Sequence, residues 1–502
     1  MLLSQLLCHA GIDHALPDKT ITVENIVPDS TRASKNSLFI AIEGRSTDGN
    51  AYISEAVSAG ACAVIVSKKA IADGRADPRA CPVPIIAVDD CREAMARLYA
   101  AFYGDPQRKM KFVGVTGTNG KTSVCRILYE ILTRSGKKCG FIGTTGCFCH
   151  TGEIDIRSSS PLANMTTPDP EELYKILDVM QKQGVEYVVM EVTSHSLALS
   201  KVAPIYFDIG IFTNLSEDHL DFHSDMEDYF LEKQKLFAST RQAIINCDDR
   251  YGRRLAASLR IRTHTCSCED GAVDYLATDV KYRDKLGIEY KLISPYVRLR
   301  LRSQLLGKFN VMNTLEAAIA AMLLGISPIN VKEALAVFRG VEGRLERVKI
   351  TPKADFSVYI DYAHTPDALE NLLRTVRSIS SSGQRVVLLF GCGGDRDRGK
   401  RAVMGRIASA MADYLIITSD NSRSEPPEKI IKEIISGIDG ESQFTVIEDR
   451  RSAIEYTIKN ARRRDIIILA GKGHEQHEID REGKKPFSEK ELVAEFAEKY
   501  YG

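Results

Sequence analysis

The stretch FVGVTGTNGKTSV at residues 112–124 constrains the fold more than any other feature, because a glycine turn joins an apolar strand to a helix. Such a turn cradles phosphates with backbone N–H groups, and its lysine reaches the terminal phosphates. The general pattern, GxxxxGKS or GxxxxGKT, requires glycine where this chain has Val115, while Gly114 stands one place early. The apolar helical face that follows, ending at Gly136, favours a phosphate loop over a glycine turn with a chance GKT. The predicted nucleotide-binding residues are Gly117, Thr118, Asn119, Gly120, Lys121, Thr122 and Ser123, and Thr122 is also a predicted Mg²⁺ ligand.

Composition limits the classes to which the chain can belong. At 502 residues it is too long for a single hydrophobic core, so several domains are expected. Its 67 Lys and Arg balance 67 Asp and Glu, which argues against a general nucleic-acid binder. The N-terminus lacks the basic region of a signal peptide, and the apolar stretch 317–326 is too short to span a membrane. The twelve scattered cysteines are expected to be reduced thiols, so we expect a soluble cytoplasmic protein.

Apolar strands alternate with helical segments along most of the chain, and this pattern predicts an α/β fold with three domains. Residues 1–105 are expected to form a smaller N-terminal α/β domain, which ends near the stretch FYGDPQRK. Residues 106–338 should hold a mostly parallel sheet of the P-loop ATPase type, with an antiparallel patch between YLATDV and YVRLRLRSQLL. Beyond the hinge-like stretch FRGVEGRLERV, residues 339–502 predict a Rossmann-like α/β domain. In both larger domains polar stretches follow predicted strands, where open α/β sheets bind ligands.

Two of these strand ends carry candidate metal ligands. MEVTSHS places Glu191 at the end of a buried strand, and FTNLSEDHLDFH places Asp218, His219, Asp221 and His223 after another. The two histidines are four residues apart, as in a helical metal pair, but the glutamate of an HExxH motif is missing. Hard oxygen ligands near a phosphate loop suit Mg²⁺ better than zinc. Taken alone, each stretch could equally be a capped, solvated helix start.

Eight motifs occur in order along the chain: TGTNGKT, MEVTSHS, FTNLSEDHLDFH, GKFNVMN, GRLER, DYAHTPDAL, GCGGDRDRGKR and AGKGHE. Together they resemble the Mur ligase family over essentially the whole chain. The resemblance is to the members that add the third residue of the peptidoglycan stem peptide in the cytoplasm. It implies an ATP-dependent amide ligase that acts on UDP-N-acetylmuramoyl-L-alanyl-D-glutamate through an acyl phosphate. It also implies a monomer with small-molecule partners.

The resemblance implies two Mg²⁺ ions beside the reacting phosphate. Thr122 and Glu191 would hold one, while His219 and a carbamylated Lys233 would hold the other. Lys121, His219 and Lys233 are therefore the expected catalytic residues. A bare ammonium at position 233 would repel a metal ion, whereas addition of CO₂ converts the amine into an anionic ligand. Without the resemblance, a lysine in MEDYFLEKQKLF would be expected to lie solvated on a helix.

Contacts to the nucleotide and the sugar substrate are also implied by the resemblance. Asn313 matches a position near adenine, Arg344 one near the phosphates and Asp361 one near the ribose. A capping or turn role is the alternative for Asn313 and Asp361. Because the nucleotide would be held by two domains, closure is expected to exclude water from the acyl phosphate. The N-terminal domain would bind UDP, and the expected substrate contacts are Ser30, residues 44–48, Thr166, Thr167, Thr193 and Lys201.

The chain departs from the family pattern at two of these substrate positions. The family usually has arginine in place of Lys201. It also has Asp-Ser-Arg where this chain has Asp29-Ser30-Thr31. Ser30 and Lys201 are still the expected substrate contacts at these two places.

Selection of the incoming amino acid is expected from the stretch TSDNSRSEPP. Diaminopimelate-adding members carry Asp-Asn-Pro-Arg, and this chain has Asp420-Asn421-Ser422-Arg423. A guanidinium reads the distal carboxylate of meso-diaminopimelate through two parallel hydrogen bonds, which L-lysine cannot offer. We therefore expect meso-diaminopimelate as the incoming amino acid, with L-lysine as the alternative. The alternative role for Arg423 is that of a surface loop arginine beside Glu425. Loss of the proline removes a fixed φ. Arg396, Gly471 and Glu475 match the remaining amino-acid contacts.

Two other classes of protein share part of this pattern. A folylpolyglutamate synthetase-like ligase would share the phosphate loop and the amide-forming step, but it needs no uridine-binding domain and no Asp-Asn-x-Arg loop. A nucleotide-dependent switch needs neither a second metal site nor an amino-acid loop. The sequence therefore favours the Mur ligase interpretation over both.

Overall fold

The computed structural model describes residues 1–14, 16, 18, 20–44, 47–154, 165–218, 222–282, 287–381 and 383–502. The chain divides into two compact units. The first comprises Met1–Gly114, Lys138–Asp208 and Lys235–Arg241, and the second comprises Val115–Lys137, Ile209–Gln234 and Gln242–Gly502. Among the helices described, none combines the length and the apolar character needed to cross a membrane.

Most strands are short and rich in Val, Ile and Leu, as expected of sheets covered on both faces. The described strands are β1 Asn25–Val27, β2 Ser37–Ile40, β3 Ala61–Ser67, β4 Ile85–Val88, β5 Lys111–Thr116, β6 Cys139–Gly143, β7 Gly146–Cys149, β8 Gly152–Glu153, β9 Tyr187–Glu191, β10 Phe207–Phe212, β11 Thr240–Asn246, β12 Arg262–Ser267, β13 Tyr275–Tyr282, β14 Ile288–Ile293, β15 Arg298–Ser303, β16 Glu346–Arg347, β17 Ser357–Asp361, β18 Val386–Phe390, β19 Tyr414–Ile417, β20 Phe444–Val446, β21 Ile466–Ala470, β22 His477–Asp480 and β23 Gly483–Pro486.

Several helices begin at a side chain that caps the first turn; Thr365, for example, accepts a hydrogen bond from the N–H of Ala368. The described helices are α1 Leu3–His9, α2 Ile53–Ser58, α3 Lys68–Ala72, α4 Cys91–Phe102, α5 Lys121–Arg134, α6 Pro170–Lys182, α7 Ser194–Ala198, α8 Met226–Gln234, α9 Arg250–Ser258, α10 Phe309–Leu323, α11 Pro328–Val337, α12 Pro366–Ile379, α13 Gly399–Met411, α14 Pro427–Ile435, α15 Arg450–Lys459 and α16 Glu489–Tyr501.

The first unit contains a parallel sheet of four strands in the order β1-β2-β3-β4. Phe39 of β2 and Val64 of β3 pack with Ala56 of α2 in a small apolar core. The helix predicted from AYISEAVSAG is α2, and the N-terminal α/β arrangement is as expected. The same unit contains strands in the order β5-β9-β6-β7-β8, with β6 parallel to β9 and antiparallel to β7.

The second unit contains strands in the order β15-β14-β13-β12-β11-β10. The pairs β11–β12 and β12–β13 are parallel, whereas β13–β14 and β14–β15 are antiparallel. This confirms the antiparallel patch that the alternating residues predicted. Helix α5 buries Val124, Ile127 and Leu128 and packs against α10. Gly136, at φ +76°, lies two residues beyond the end of α5, as predicted.

The second unit also contains a six-stranded sheet in the order β16-β17-β21-β18-β19-β20, whose central strands are parallel, and a small antiparallel sheet of β22 and β23. Apolar side chains cover both faces of the six-stranded sheet. Leu373 and Met404 belong to the core on one face, and Ile454 and Phe496 to the core on the other. This is the doubly covered arrangement expected of a Rossmann-like domain.

Candidate active site

The phosphate loop leaves β5 at Thr116 and enters α5 at Lys121. Gly117 has φ +144° and Gly120 has φ +88°, a backbone region that favours glycine. A Cβ atom on Gly117 would lie 1.9 Å from Oγ1 of Thr213. The glycines that the motif requires are therefore imposed both by backbone conformation and by close packing.

The two residues that follow β10 hold this loop in place. Thr213 Oγ1 donates a hydrogen bond to the carbonyl of Asn119 at 2.6 Å. The carbonyl of Asn214 accepts from the N–H of Thr118, and its side-chain oxygen accepts from the N–H of Asn119, both at 2.9 Å. Our sequence reasoning missed Thr213 and Asn214, although two polar residues directly after a buried strand gave the signal.

Two lysines meet the same carbonyl group of the loop. Nζ of Lys121 donates to the carbonyls of Gly117 and Thr118 at 2.9 and 2.7 Å, and Nζ of Lys233 donates to the Gly117 carbonyl at 2.8 Å. Lys233 is only 1% exposed, so the solvated helix lysine expected without the family resemblance is wrong. Burial, together with the charge of Lys121, lowers the pKa of Lys233 well below its ordinary value, and Asp218 opposes the shift.

The start of α5 also contacts a segment that precedes the C-terminal sheet. Nη2 of Arg344 donates to Oγ1 of Thr122 at 3.1 Å, and its guanidinium lies 4.5 Å from the ring centre of Tyr362. Asp361, at the end of β17, accepts from the N–H groups of Leu345 and Ala363. The turn role that the sequence left open for Asp361 is therefore present, and its burial raises the pKa of its carboxyl.

A cavity of about 210 Å³ opens beside the phosphate loop within the second unit. Apolar side chains of Leu305, Phe309 and Met312 line one part of it. The cavity brings together most of the predicted nucleotide contacts, namely Asn119, Gly120, Ser123, Asn313, Arg344 and Asp361.

In the first unit, predicted residues gather at the end of β9. The carboxylate of Glu191 is fully buried and accepts from the N–H and hydroxyl of Thr144 at 2.8 and 3.1 Å. The hydroxyl of Thr166 lies 3.1 Å from that of Thr144. Thr167 donates to the Glu191 carbonyl at 2.9 Å and lies 3.3 Å from the hydroxyl of Thr193. Sequence reasoning missed Thr144.

The two departures from the family pattern have clear local structures. Lys201 is 3% exposed, and its ammonium pairs with Asp169 at 2.7 Å. Ser30 is buried and begins a short 3₁₀ helix that Asp29 caps. The arginine one position beyond the expected one, Arg32, forms a two-bond ion pair with Glu171. Of the expected uridine loop, residues 45 and 46 lie outside the described residues.

In the amino-acid loop, residues 420–423, the side chain of Asn421 forms the centre of a buried network. Its oxygen accepts from Nζ of Lys472 and from the N–H of Ile479, both at 2.9 Å. Its amide donates to Glu475 at 2.8 Å. Lys472 is fully buried and was missed by sequence reasoning, although it lies within AGKGHE. Burial opposes ionisation of Asp420, but the charges of Lys472 and Arg450 outweigh it and lower its pKa.

Arg423 lies at the same loop in a left-handed conformation, with φ +50°. Its guanidinium donates to the carbonyl of Gly394 at 2.7 Å. Glu425 instead bonds the buried guanidinium of Arg401 at 2.9 and 3.1 Å, and no ion pair between Arg423 and Glu425 is present among the described residues. Burial of Arg423 lowers the pKa of its guanidinium, and the charge of the exposed Arg396 nearby lowers it further. A Cβ atom on Gly471 would lie 2.6 Å from Asp420, so this glycine makes room for that carboxylate.

The predicted second metal site is only partly described. His219 and Asp221 lie outside the described residues. His223 stacks on Tyr229 with ring centres 4.9 Å apart, and its Nδ1 lies 3.5 Å from Asp228. Within the described ranges, no group of three His, Cys, Asp or Glu side chains is arranged to hold a metal ion.

Comparison with known proteins places this arrangement in a family. Family models match residues 22–103 (Mur ligase family, catalytic domain), 115–321 (Mur ligase middle domain) and 343–473 (Mur ligase, glutamate ligase domain). A UDP-N-acetylmuramoyl-L-alanyl-D-glutamate--2,6-diaminopimelate ligase from Clostridioides difficile (strain 630) is 41% identical over 499 residues, 99% of each chain. The chain belongs to the Mur ligase family.

Further similarity covers this Mur ligase from end to end. A protein of the same name from Caldanaerobacter subterraneus subsp. tengcongensis is 40% identical over 489 residues, 97% of each chain. A solved structure of a UDP-N-acetylmuramoyl-L-alanyl-D-glutamate--2,6-diaminopimelate ligase is 28% identical, covers all of both chains and superimposes with a TM-score of 0.67. The predicted family, the ligase class and the three-domain α/β fold are thereby confirmed.

Proposed function

We propose that this Mur ligase joins meso-2,6-diaminopimelate to the D-glutamyl residue of UDP-N-acetylmuramoyl-L-alanyl-D-glutamate in cytoplasmic peptidoglycan precursor synthesis. ATP is converted to ADP and phosphate in the reaction. The observation that carries the proposal is the 41% identity, over nearly the full length of both chains, to a relative named for this activity. The L-lysine-adding reaction is the alternative.

The first step transfers the terminal phosphoryl group of ATP to the free carboxylate of the D-glutamyl side chain, which gives an acyl phosphate and ADP. Two anions approach each other in this step, so the site needs concentrated positive charge and aligned backbone N–H groups. The phosphate loop supplies the N–H groups. Lys121 and Arg344, both beside the start of α5, supply charge.

In the second step the amino group of the incoming amino acid attacks the acyl phosphate. The tetrahedral intermediate loses phosphate and a proton and becomes the amide. Water would compete in this step, so the acyl phosphate must be enclosed. The contacts of Arg344 with Thr122 and of Asp367 with Asn119, the latter at 2.7 Å, support closure over the nucleotide.

The residues present suit the Mg²⁺ ions that the family implies. Thr122 and Glu191 offer the hard oxygen ligands that Mg²⁺ prefers, and His219 with a carbamylated Lys233 would hold a second ion. The lowered pKa of Lys233 favours the neutral amine, which can add CO₂ and release a proton. When bound, Mg²⁺ neutralises charge on the phosphates.

The amino-acid loop supports diaminopimelate over lysine. Diaminopimelate carries a second carboxylate, and Arg423 with the nearby Arg396 offers two guanidinium groups for it. Asp420 and Glu475 are acidic partners for the ammonium groups. A lysine substrate would place an uncompensated cation next to this arginine pair.

The nucleotide cavity and the first unit supply the other contacts. Asn313 would contact adenine, Asp361 the ribose and Arg344 the phosphates. Ser30 and residues 44–48 would hold the uridine end. Thr166, Thr167, Thr193 and Lys201 would contact the remainder of the sugar dipeptide.

Phosphate release from ATP tests the proposal when the UDP-muramoyl dipeptide is combined with meso-diaminopimelate, with L-lysine or with no amino acid. We expect release that requires both the dipeptide and meso-diaminopimelate. A preference for lysine would keep the ligase and overturn the role of Arg423. Release that is indifferent to the dipeptide would overturn the proposed function.

A further inference from the structure

The nucleotide cavity contains a carboxyl group that the reaction described above does not use. Glu316 lies on α10 three residues after Asn313, so both side chains leave the same face of the helix. It lines the cavity and is fully buried. Neither of its carboxyl oxygens has a hydrogen-bond partner among the described residues. Burying such a group unpaired costs stability, so a bound molecule is expected to complete its hydrogen bonds.

The neighbouring amides on this wall are already engaged. The amide of Asn313 donates to the side chain of Asn310 at 2.8 Å, and Asn310 donates to a backbone carbonyl at 2.7 Å. Asn246 donates to the Thr213 carbonyl at 2.6 Å and accepts from a backbone N–H at 2.9 Å. Glu316 differs from these amides because neither of its carboxyl oxygens has a hydrogen-bond partner among the described residues.

The remaining lining of the cavity is suited to a nucleotide base. Leu305, Phe309 and Met312 offer apolar contact for the faces of a flat aromatic ring. Gly120 and Arg344 mark the end at which phosphates bind. A nucleotide whose phosphates occupy the loop would therefore direct the edge of its base along α10.

On the basis of the proposed function, we infer that Glu316 reads the exocyclic amine of adenine and so selects the nucleotide. Burial, reinforced by the charge of Asp248, raises the pKa of Glu316 well above its ordinary value. The other titratable groups that interact with it are the thiols of Cys266 and Cys268, whose own pKa values burial also raises. A neutral carboxyl offers one acceptor and one donor, which match the amine and ring N1 of adenine.

The test compares two nucleotides that differ only in this amine: ADP and purine riboside 5′-diphosphate. Their dissociation constants are measured by calorimetry on the full chain without acceptor substrates. We expect wild type to bind ADP about 10-fold more tightly. Glu316→Gln, which keeps an acceptor and a donor, should preserve the preference, and Glu316→Met, of similar size, should abolish it. Glu333→Gln is the control, because Glu333 is an exposed carboxyl of α11 outside the cavity.

Equal binding of the two nucleotides by wild type would overturn the inference, and this arm needs no variant to fold. A preference that survives in Glu316→Met would overturn it as well, and Glu316→Ala provides a second variant for that arm. Because acceptor substrates are absent, the result is independent of the ligase reaction. If phosphate release does not depend on the dipeptide but the preference for ADP is present, the proposed function is overturned and the role of Glu316 is retained.

Discussion

The phosphate loop, residues 117–123, and the amino-acid loop, residues 420–423, are held in place by different kinds of contact. The phosphate loop is fixed through its own backbone, because its N–H and carbonyl groups bond Thr213 and Asn214. The amino-acid loop is fixed largely by side chains, with Asn421 joining Lys472 and Glu475.

Because of this difference, the two loops are suited to different kinds of ligand. Every nucleotide presents phosphates, and backbone N–H groups bind them whatever the neighbouring side chains are. An amino-acid substrate is recognised by its side chain, so charged groups in fixed positions must distinguish it. Substitutions should therefore abolish turnover at the phosphate loop but change the substrate preference at the amino-acid loop.

The largest expected effect comes from Gly117→Ala. The new Cβ atom would lie 1.9 Å from Thr213 Oγ1 at a φ of +144°, so the loop must move. We expect kcat/KM for ATP to fall at least about 100-fold, since misplacement by an ångström can have this effect. Steady-state phosphate release measures it. Gly271→Ala is the control, because a Cβ there meets nothing within 4 Å. Equal losses in both variants would show that the close packing of Gly117 is not the cause.

At the amino-acid loop, Arg423→Ala should act on one substrate only. Loss of a charge-assisted pair of hydrogen bonds should raise KM for meso-diaminopimelate about 30-fold, while KM for ATP stays unchanged. The KM values for meso-diaminopimelate, L-lysine and ATP are measured in parallel. Arg463→Ala, at an exposed arginine of the same domain, serves as the control. An equal rise in the KM of lysine would show that Arg423 does not read the distal carboxylate.

Glu425, two residues beyond the amino-acid loop, accepts hydrogen bonds from the buried Arg401 and from the N–H of Asp395. The hydrogen bond from Arg401 lowers the pKa of Glu425 to about 2, so its stabilising contribution is present above pH 4.5 and is lost as pH falls towards 2. Glu425→Gln should lower the free energy of unfolding by about 2 kcal/mol at pH 7.

Urea unfolding at pH 7 and at pH 3 measures this effect. The difference between wild type and Glu425→Gln should narrow at the lower pH, because at pH 3 Glu425 is protonated in the unfolded chain and must release that proton on folding. Glu441→Gln, at an exposed turn position outside any helix, should change neither value. A difference that is independent of pH would mean that the charge of Glu425 contributes nothing.

Ser422→Pro should have the smallest effect. The N–H of Ser422 donates to no described residue, so proline removes no hydrogen bond. Arg423 is already fixed by its N–H bond to the Ile479 carbonyl at 3.1 Å. We therefore expect kcat/KM for meso-diaminopimelate to change by less than about threefold. A tenfold gain in the preference over lysine would show that the missing proline had loosened the loop.

Much of the fold could be predicted because its signals are local. The apolar runs of β18, β19 and β21, the alternation in β13–β15 and the glycines of the phosphate loop each determine structure within a few residues. The clusters that hold the loops could not be predicted in the same way. The residues in these clusters bond partners that are distant in sequence and meet only in the folded chain; they are Thr144, Thr213, Asn214 and Lys472.

The charge state of buried groups was also beyond sequence reasoning. Lys233 in MEDYFLEKQKLF has the spacing of a solvated helix lysine, and only tertiary packing gives it 1% exposure. Arg423 and Glu425 are only two residues apart in sequence, yet the ion-pair partner of Glu425 is Arg401 of α13. Glu316 stands in an apolar helical stretch that gives no reason to expect a carboxyl in a nucleotide cavity.

The proposed ligase forms an amide between the D-glutamyl carboxylate and meso-diaminopimelate. The most direct measurement is mass spectrometry of the nucleotide product after incubation with ATP, the UDP-muramoyl dipeptide and an equal mixture of meso-diaminopimelate and L-lysine. We expect a single product that contains diaminopimelate and that forms only with ATP. A lysine-containing product, or ATP hydrolysis without any new amide, would contradict this proposal.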